Sequence, residues 1–208
     1  MDIAHTIIKE DFFEDPDKIV AFANSLEYKE AEDKGEDYRW PGKRTQCLSE
    51  THYDFFNETV GRVIRLYYPM AAIDMRTQLY FQKVSSNFND GWIHTDTSYI
   101  SFIVYLNKGI YPDGGTSLCV CKDKEPIDLY ADKKVESFKN PELILQNEQY
   151  RLAHNSQYIE SLRTASMYNR LIAFGGKNFH KANAYSSFED NEPRLTLIGF
   201  VKKLKVTY

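Results

Sequence analysis

The apolar pattern of this chain changes period between Pro69 and Met75, and that change limits the fold more than any other feature. Before it, apolar residues recur at helical spacing. After it they fall into short runs rich in β-branched and aromatic residues, several of them alternating with polar ones. The runs are MRTQLYFQKVS, WIHTDTS, YISFIVYLN, GGTSLCV, SMYNRLIAFG, FHKANAY and RLTLIGFVKKLKVTY, with a turn-prone SSNFNDG behind the first. Short strands at this density after a helical start predict a mainly β sandwich or barrel with helices packed outside it.

The helices are legible from their ends. Asp15 is placed to cap one, with Pro16 at the first helical position, where a missing N–H costs nothing. Ile19, Phe22, Ala23 and Leu26 form its apolar stripe. A second helix is expected from about Glu50, burying Phe56, Val60, Val63, Ile64 and Tyr67 and ending at Pro69. The polar stretch Glu27–Gln46 between them reads as a loop. Its Arg39-Trp40-Pro41-Gly42 is either a plain surface turn or a piece packed over a pocket mouth. Residues 121–165 interrupt the strands with charged sequence, the breakers Pro126 and Pro141, and a helical-looking Ile159–Arg163. Such an insertion serves as a lid or binding segment, or is a solvated excursion.

At 208 residues the chain fits one domain, with 1–74 as helical support and 75–208 as the β core. A net charge of -4 argues against a nucleic-acid partner. Lys202, Lys203 and Lys205 read as lysines guarding a solvated strand edge. Cys47, Cys119 and Cys121 suggest neither a disulfide framework nor a zinc knuckle, and free thiols point to a reducing, cytoplasmic setting. No signal peptide and no apolar run long enough to span a bilayer is visible.

The chemistry concentrates in three places. His94 and Asp96 stand two apart in WIHTDTS, so on a strand both side chains leave the same face. His180 comes from a distant strand, which a sandwich can bring alongside. Two imidazoles and a carboxylate are a ligand set that could hold a divalent iron on one face and leave the other open. Trp92 shares the parity of His94 and either walls the site or packs in the core. Arg194 opens the last strand, where a buried guanidinium needs an anion, whether a structural Asp or Glu or a ligand carboxylate. Thr196 shares its parity. His5, His52 and His154 read as structural or surface residues.

Taken together, H-x-D, the runs YISFIVYLNKG…DGGTSL and YNRLIAFGGKNFHKANAY, and the late Arg194 in RLTLIGF resemble the iron(II)- and 2-oxoglutarate-dependent dioxygenases, either their prolyl-hydroxylase-like branch or an uncharacterised relative of it. The resemblance covers roughly residues 76–201 and implies a double-stranded β-helix, a jelly-roll variant. It implies His94, Asp96 and His180 as iron ligands and catalytic centre, and Arg194, assisted by Thr196, as holder of the distal carboxylate of 2-oxoglutarate. The tyrosine expected before H-x-D is replaced by Ser85; Tyr80 is either its substitute or a core aromatic. Asn169 and Arg170 are expected to fix the strand before His180, and Arg170 to be able to meet an anionic substrate. The implied reaction consumes O2 and 2-oxoglutarate, and the presence of Asp96 favours hydroxylation over halogenation.

Two other readings stay open on the residues alone: a cupin-type metal enzyme that does not use 2-oxoglutarate, and a non-catalytic jelly roll. The substrate is not legible, whether protein or peptide side chain, amino acid or small metabolite. By position, Trp92, Arg170, Arg39 and Trp40 are the candidates for touching it.

Overall fold

Alternation along each strand of the larger sheet assigns its two faces to different neighbours. The computed structural model describes residues 5–31, 40–86, 88, 90–123, 130–185 and 192–208. Strand β3 (Ala72–Val84) pairs over its whole length with β9 (Arg194–Thr207), with one bulge between Arg76 and Thr77. From β9 the sheet continues through β4 (Ile100–Tyr105) and β7 (Leu171–Gly175) to β1 (Ile7–Lys9), and β2 (Lys43–Arg44) closes the far edge on β3. All pairings are antiparallel.

On one face, Leu79 and Phe81, Phe102 and Val104, Leu171 and Ala173, and Leu195, Leu197 and Val201 form the main core. It is closed by α1 (Pro16–Ser25), α2 (Leu48–Thr51) and α3 (Tyr53–Tyr67), which contribute Ala23, Leu48, Val60, Val63 and Ile64. Burying one such Leu, Val or Phe side chain is worth about 1.5–3 kcal/mol. The expected cap is present: Asp15 accepts the Lys18 N–H at 3.2 Å, with Pro16 opening the helix. Phe56 and Tyr67 pack against this core half-buried.

The other face meets a three-stranded sheet, ordered β6 (Tyr158–Met167), β5 (Ile110–Cys121), β8 (Phe179–Ala182). Tyr105, Ile172 and Phe174 of the large sheet pack there against Leu118 of β5. The mainly β fold with outer helices is therefore as expected.

Four local expectations change. WIHTDTS forms no ladder. Only His94 bridges, to His180, so the segment lies beside β8 as a fourth, incomplete position of the small sheet. SMYNRLIAFG is two strands, because Asn169 adopts φ 63° in a turn. Its amide side chain is fixed at 2.9 and 2.8 Å to the N–H and carbonyl of Phe13. Residues 159–163 are strand, and a register shift against β5 leaves Ser161 as the extra residue of a bulge. That bulge returns Glu160 and Arg163 to one face, where they pair at 3.0 Å and imitate a helical i,i+3 spacing. Finally, part of the Glu27–Gln46 loop is strand β2.

Between β5 and β6 run α4 (Ala131–Lys139), a 3-10 turn (Pro141–Leu143) and α5 (Ile144–Asn155). Ile144 and Phe138 pack on Val84, Phe88 and Tyr185, so this excursion covers one side of the space between the sheets. No described helix is long and apolar enough to cross a membrane.

Candidate metal centre

Between the sheets lies a cavity of about 970 Å³. It is lined from β3 by Gln78, Tyr80 and Gln82, and from β9 by Arg194, Thr196, Ile198, Phe200 and Lys202. These are the positions that alternate with the core residues of the same two strands. Lys202 therefore turns inward, whereas Lys203 and Lys205 are exposed, and the solvated-edge expectation fails for Lys202 alone.

His94, Asp96 and His180 line the same cavity and each offers a ligand atom within 4.8 Å of the others. His180 Nε2 stands 3.4 Å from Asp96 Oδ2, and His94 Nε2 stands 3.9 Å from Asp96 Oδ1. Adjacent ligands on a metal with bonds of about 2.1 Å sit roughly 3 Å apart, so little closure separates these atoms from coordination. Backbone contacts hold the two segments in place. His94 and His180 exchange N–H···O bonds of 3.0 and 2.9 Å, and the Asp96 N–H donates to the Gly176 carbonyl at 2.7 Å. Gly176 permits this approach, since a Cβ there would lie 2.3 Å from Ser98 Oγ.

Both imidazoles are turned the same way. His94 Nδ1 is 2.8 Å from the Trp92 carbonyl, and His180 Nδ1 is 2.8 Å from the Asn178 carbonyl. A carbonyl only accepts, so each Nδ1 carries the proton and each Nε2 presents a lone pair to the centre. Burial, assisted by the neighbouring His180 and Lys134, pushes the His94 imidazole down to about 3, which keeps it neutral. Burial opposes ionisation of Asp96, but His180, His94 and the Ser101 hydroxyl outweigh it and hold the carboxyl below the usual range. Ser101 Oγ donates to Asp96 Oδ2 at 2.5 Å and is itself 2.7 Å from Ser98 Oγ. A neutral His94 and an ionised Asp96 are protonation states that binding a divalent cation requires.

Arg194 is buried, 5% exposed. Its Nη2 donates to the Gly115 carbonyl at 3.2 Å, and its guanidinium lies 5.5 and 5.3 Å from the rings of Tyr105 and Tyr185. Its Nε has no acceptor, and among the described residues no carboxylate stands within ion-pair distance. Gly115, at φ 93°, lies where the register of β5 on β6 shifts between Tyr111 and Thr116, and a Cβ there would fall 2.1 Å from the Thr164 carbonyl. Tyr105 donates to Thr116 Oγ1 at 2.8 Å, and burial above all keeps the phenols of Tyr105 and Tyr185 protonated.

Of the other sequence candidates, Tyr80, Thr196, Trp92 and Trp40 line the cavity. Trp92 also packs 5.6 Å from the ring of His154, whose Nε2 is fixed 2.8 Å from the Ile93 carbonyl as a structural group. Arg170 is not brought there. Its guanidinium is held by Glu10 at 2.7 Å and by the Ala165 carbonyl at 3.2 Å, so it ties β7 to the N-terminal segment. Arg39 lies outside the described residues. Sequence reasoning missed Ser101, Tyr105, Tyr185 and Arg44. Ser101 had a signal: it is the one small polar residue in the otherwise apolar or aromatic ISFIVY.

A family model described as "Family of unknown function (DUF6445)" matches residues 2–201. No curated protein is similar to the chain in sequence. Among solved structures, HygX from Streptomyces hygroscopicus with nickel and 2-oxoglutarate bound is similar, with a TM-score of 0.58 and 11% identity over 95% of this chain and 83% of that one. The non-heme alpha ketoglutarate dependent epimerase SnoN from nogalamycin biosynthesis is similar at a TM-score of 0.56 and 10% identity, over 99% of this chain and 80% of that one. At such identities the likeness is one of fold alone: the two-sheet architecture is shared with HygX and SnoN.

Proposed function

Since the chain belongs to DUF6445, a family of unknown function, its activity has to be argued from its own residues, and we propose that it is an iron(II)- and 2-oxoglutarate-dependent oxygenase that hydroxylates a small molecule. The observation that carries this reading is the buried Arg194, with an unpaired Nε and, among the described residues, no carboxylate beside it, facing the same cavity as His94, Asp96 and His180. A guanidinium left so costs several kcal/mol, and a ligand carboxylate would offset that cost.

His94, Asp96 and His180 would hold the iron, and Arg194 the far carboxylate of 2-oxoglutarate, with Thr196 adding a hydroxyl. When bound, iron supplies the activation of O2 that couples oxidative decarboxylation of 2-oxoglutarate to substrate oxidation. The protein's own contribution is orientation and exclusion of water. The carbonyls of Trp92 and Asn178 fix the imidazoles, Ser101 fixes Asp96, and Tyr105 and Tyr185 wall the guanidinium. The cover formed by α4 and α5 favours a small molecule over an extended chain as substrate. A cupin-type site would not need Arg194.

Anaerobic titration of iron(II), then 2-oxoglutarate, into the protein tests this by calorimetry. One iron per chain is expected, lost in His94→Ala. Binding of 2-oxoglutarate is expected to weaken by about ten-fold to a hundred-fold in Arg194→Gln, the value of a charged hydrogen-bonded pair. Iron binding without 2-oxoglutarate binding would favour the cupin-type reading, and no iron binding would end the enzyme assignment.

A further inference from the structure

The segment that carries His94 and Asp96 is bonded on one side to β8 and on the other to a helix. Toward β8, the Gly91 N–H donates to the Ala182 carbonyl at 2.8 Å, and His94 exchanges its bonds with His180. Ile93 is 5% exposed, and its N–H and carbonyl have no backbone partner among the described residues. Buried backbone groups need partners, and here the last turn of α5 supplies them. Asn155 Oδ1 accepts the Ile93 N–H at 2.9 Å, and Asn155 Nδ2 donates to the Gly91 carbonyl at 3.0 Å. His154 Nε2 stands 2.8 Å from the Ile93 carbonyl. One side-chain amide therefore closes a two-bond ring with the segment, as a paired strand would.

The direction of these bonds gives them a use. The Gly91 carbonyl only accepts and the Ile93 N–H only donates, so the orientation of the Asn155 amide is fixed. That N–H belongs to the Trp92–Ile93 peptide, whose carbonyl takes the His94 Nδ1 proton at 2.8 Å. A peptide unit is planar and stiff, so holding its N–H also aims its C=O. Asn155, this peptide and the His94 imidazole form one chain of hydrogen bonds, ending at the His94 Nε2 lone pair that faces Asp96. Bonds in such a chain polarise one another. The Trp92 ring, 5.6 Å from that of His154, is a second hold on the same peptide. Ile144, Asn147, Glu148 and Arg151 of α5 line the cavity, so the helix also borders the ligand space.

We infer that Asn155 is a positioning residue of the metal centre, acting through the Trp92–Ile93 peptide to aim the His94 imidazole. The helix that covers the ligand space is then also the one that sets a metal ligand. This rests on the metal-binding half of the oxygenase reading, and 2-oxoglutarate plays no part in it.

The test titrates cobalt(II) into the full chain and reads both its affinity and its visible absorption, which follows the geometry of its ligands. The parent chain and His94→Ala come first. No cobalt binding in the parent, or binding kept in His94→Ala, would sink the metal reading and this proposal with it. Asn155→Leu, close to asparagine in size but without polar atoms, is expected to weaken cobalt binding about ten-fold and to change the shape of the absorption band. Asn155→Ala lets water reach both backbone groups at this half-buried position, and reads the same loss should Asn155→Leu not fold. Leu152→Ala, an exposed change on the same helix, should keep the affinity and the band of the parent. Thermal unfolding of each metal-free variant separates loss of fold from loss of aim. A folded Asn155→Leu or Asn155→Ala with the parent's affinity and band, whatever its stability, would make Asn155 a helix anchor only and overturn the proposal. An equal fall in Leu152→Ala would overturn it too.

Discussion

The two faces of the six-stranded sheet are made by the same strands, residue by alternate residue, yet they obey opposite rules. Toward the helices, Leu79, Phe81, Leu195, Leu197 and Val201 are apolar and closed from water. Toward the cavity, Gln78, Gln82, Arg194, Thr196 and Lys202 keep polar atoms in a space too large for the protein's own side chains to fill. The first face stores the stability of the fold. The second forgoes some of it, most plainly at Arg194, a cost that the proposed 2-oxoglutarate carboxylate would offset. A chain under no demand but folding would place apolar residues on both faces.

Three substitutions would sharpen or break that contrast. The largest effect is expected from Phe81→Ala, which empties a site where Phe81 meets Phe22 and Phe55 at 5.7 and 5.8 Å. A loss of about 3–5 kcal/mol in urea unfolding is expected, with iron affinity unchanged while the protein stays folded. A parallel fall in iron affinity would show that the two faces are not separable.

Next comes Ser101→Ala on the cavity face. It removes the hydroxyl that holds Asp96 Oδ2 and should cost iron(II) affinity about ten-fold, with Ser101→Thr restoring it. The unfolding midpoint should move far less than in Phe81→Ala. A large stability loss with unchanged iron affinity would make Ser101 a core residue only.

The smallest effect concerns acid. Asp90 is bound by Lys181 at 2.6 Å and by the Ala184 N–H at 2.7 Å, a polar joint at the cavity wall beside His180. Burial opposes its ionisation, but Lys181, the Ala184 N–H and Arg151 prevail and set its pKa below 3.8. A depressed folded pKa means stability that is present above about pH 4 and is lost as pH falls through the folded value. Because Asp90 is partly exposed, the contribution should be under about 1 kcal/mol. Urea unfolding from pH 6 to pH 3 should show a shallower acid loss in Asp90→Asn than in the parent chain. Equal slopes would assign the acid sensitivity elsewhere.

What was legible in the sequence follows from how local each signal is. His94 and Asp96 are two residues apart, and Arg194 and Thr196 share a strand, so parity alone relates each pair. The strands of the large sheet alternate cleanly because each of their faces has a fixed neighbour. Strand β6 was obscured because it is an outer strand with few buried side chains, and its bulge gives Glu160 and Arg163 a helical spacing. WIHTDTS was read as a strand although its backbone–backbone bonds are a single bridge and one further N–H, since composition cannot count hydrogen bonds to a remote segment. The walls around Arg194 escaped for the same reason, as Tyr105, Gly115 and Tyr185 meet it only through the fold.

The pairing of β3 with β9 also has a consequence in time. Residues 72–84 find their partners only at 194–207, and β1 at 7–9 finds its own only at 171–173. Contacts this distant in sequence must wait for long loops to close, which slows folding. On a ribosome, β3 would have only the two residues of β2 beside it until β9 emerged, behind every other strand, to join it to β4. The helices can take shape early, but the ligand space comes into being last, with the same strand that carries Arg194 and Lys202.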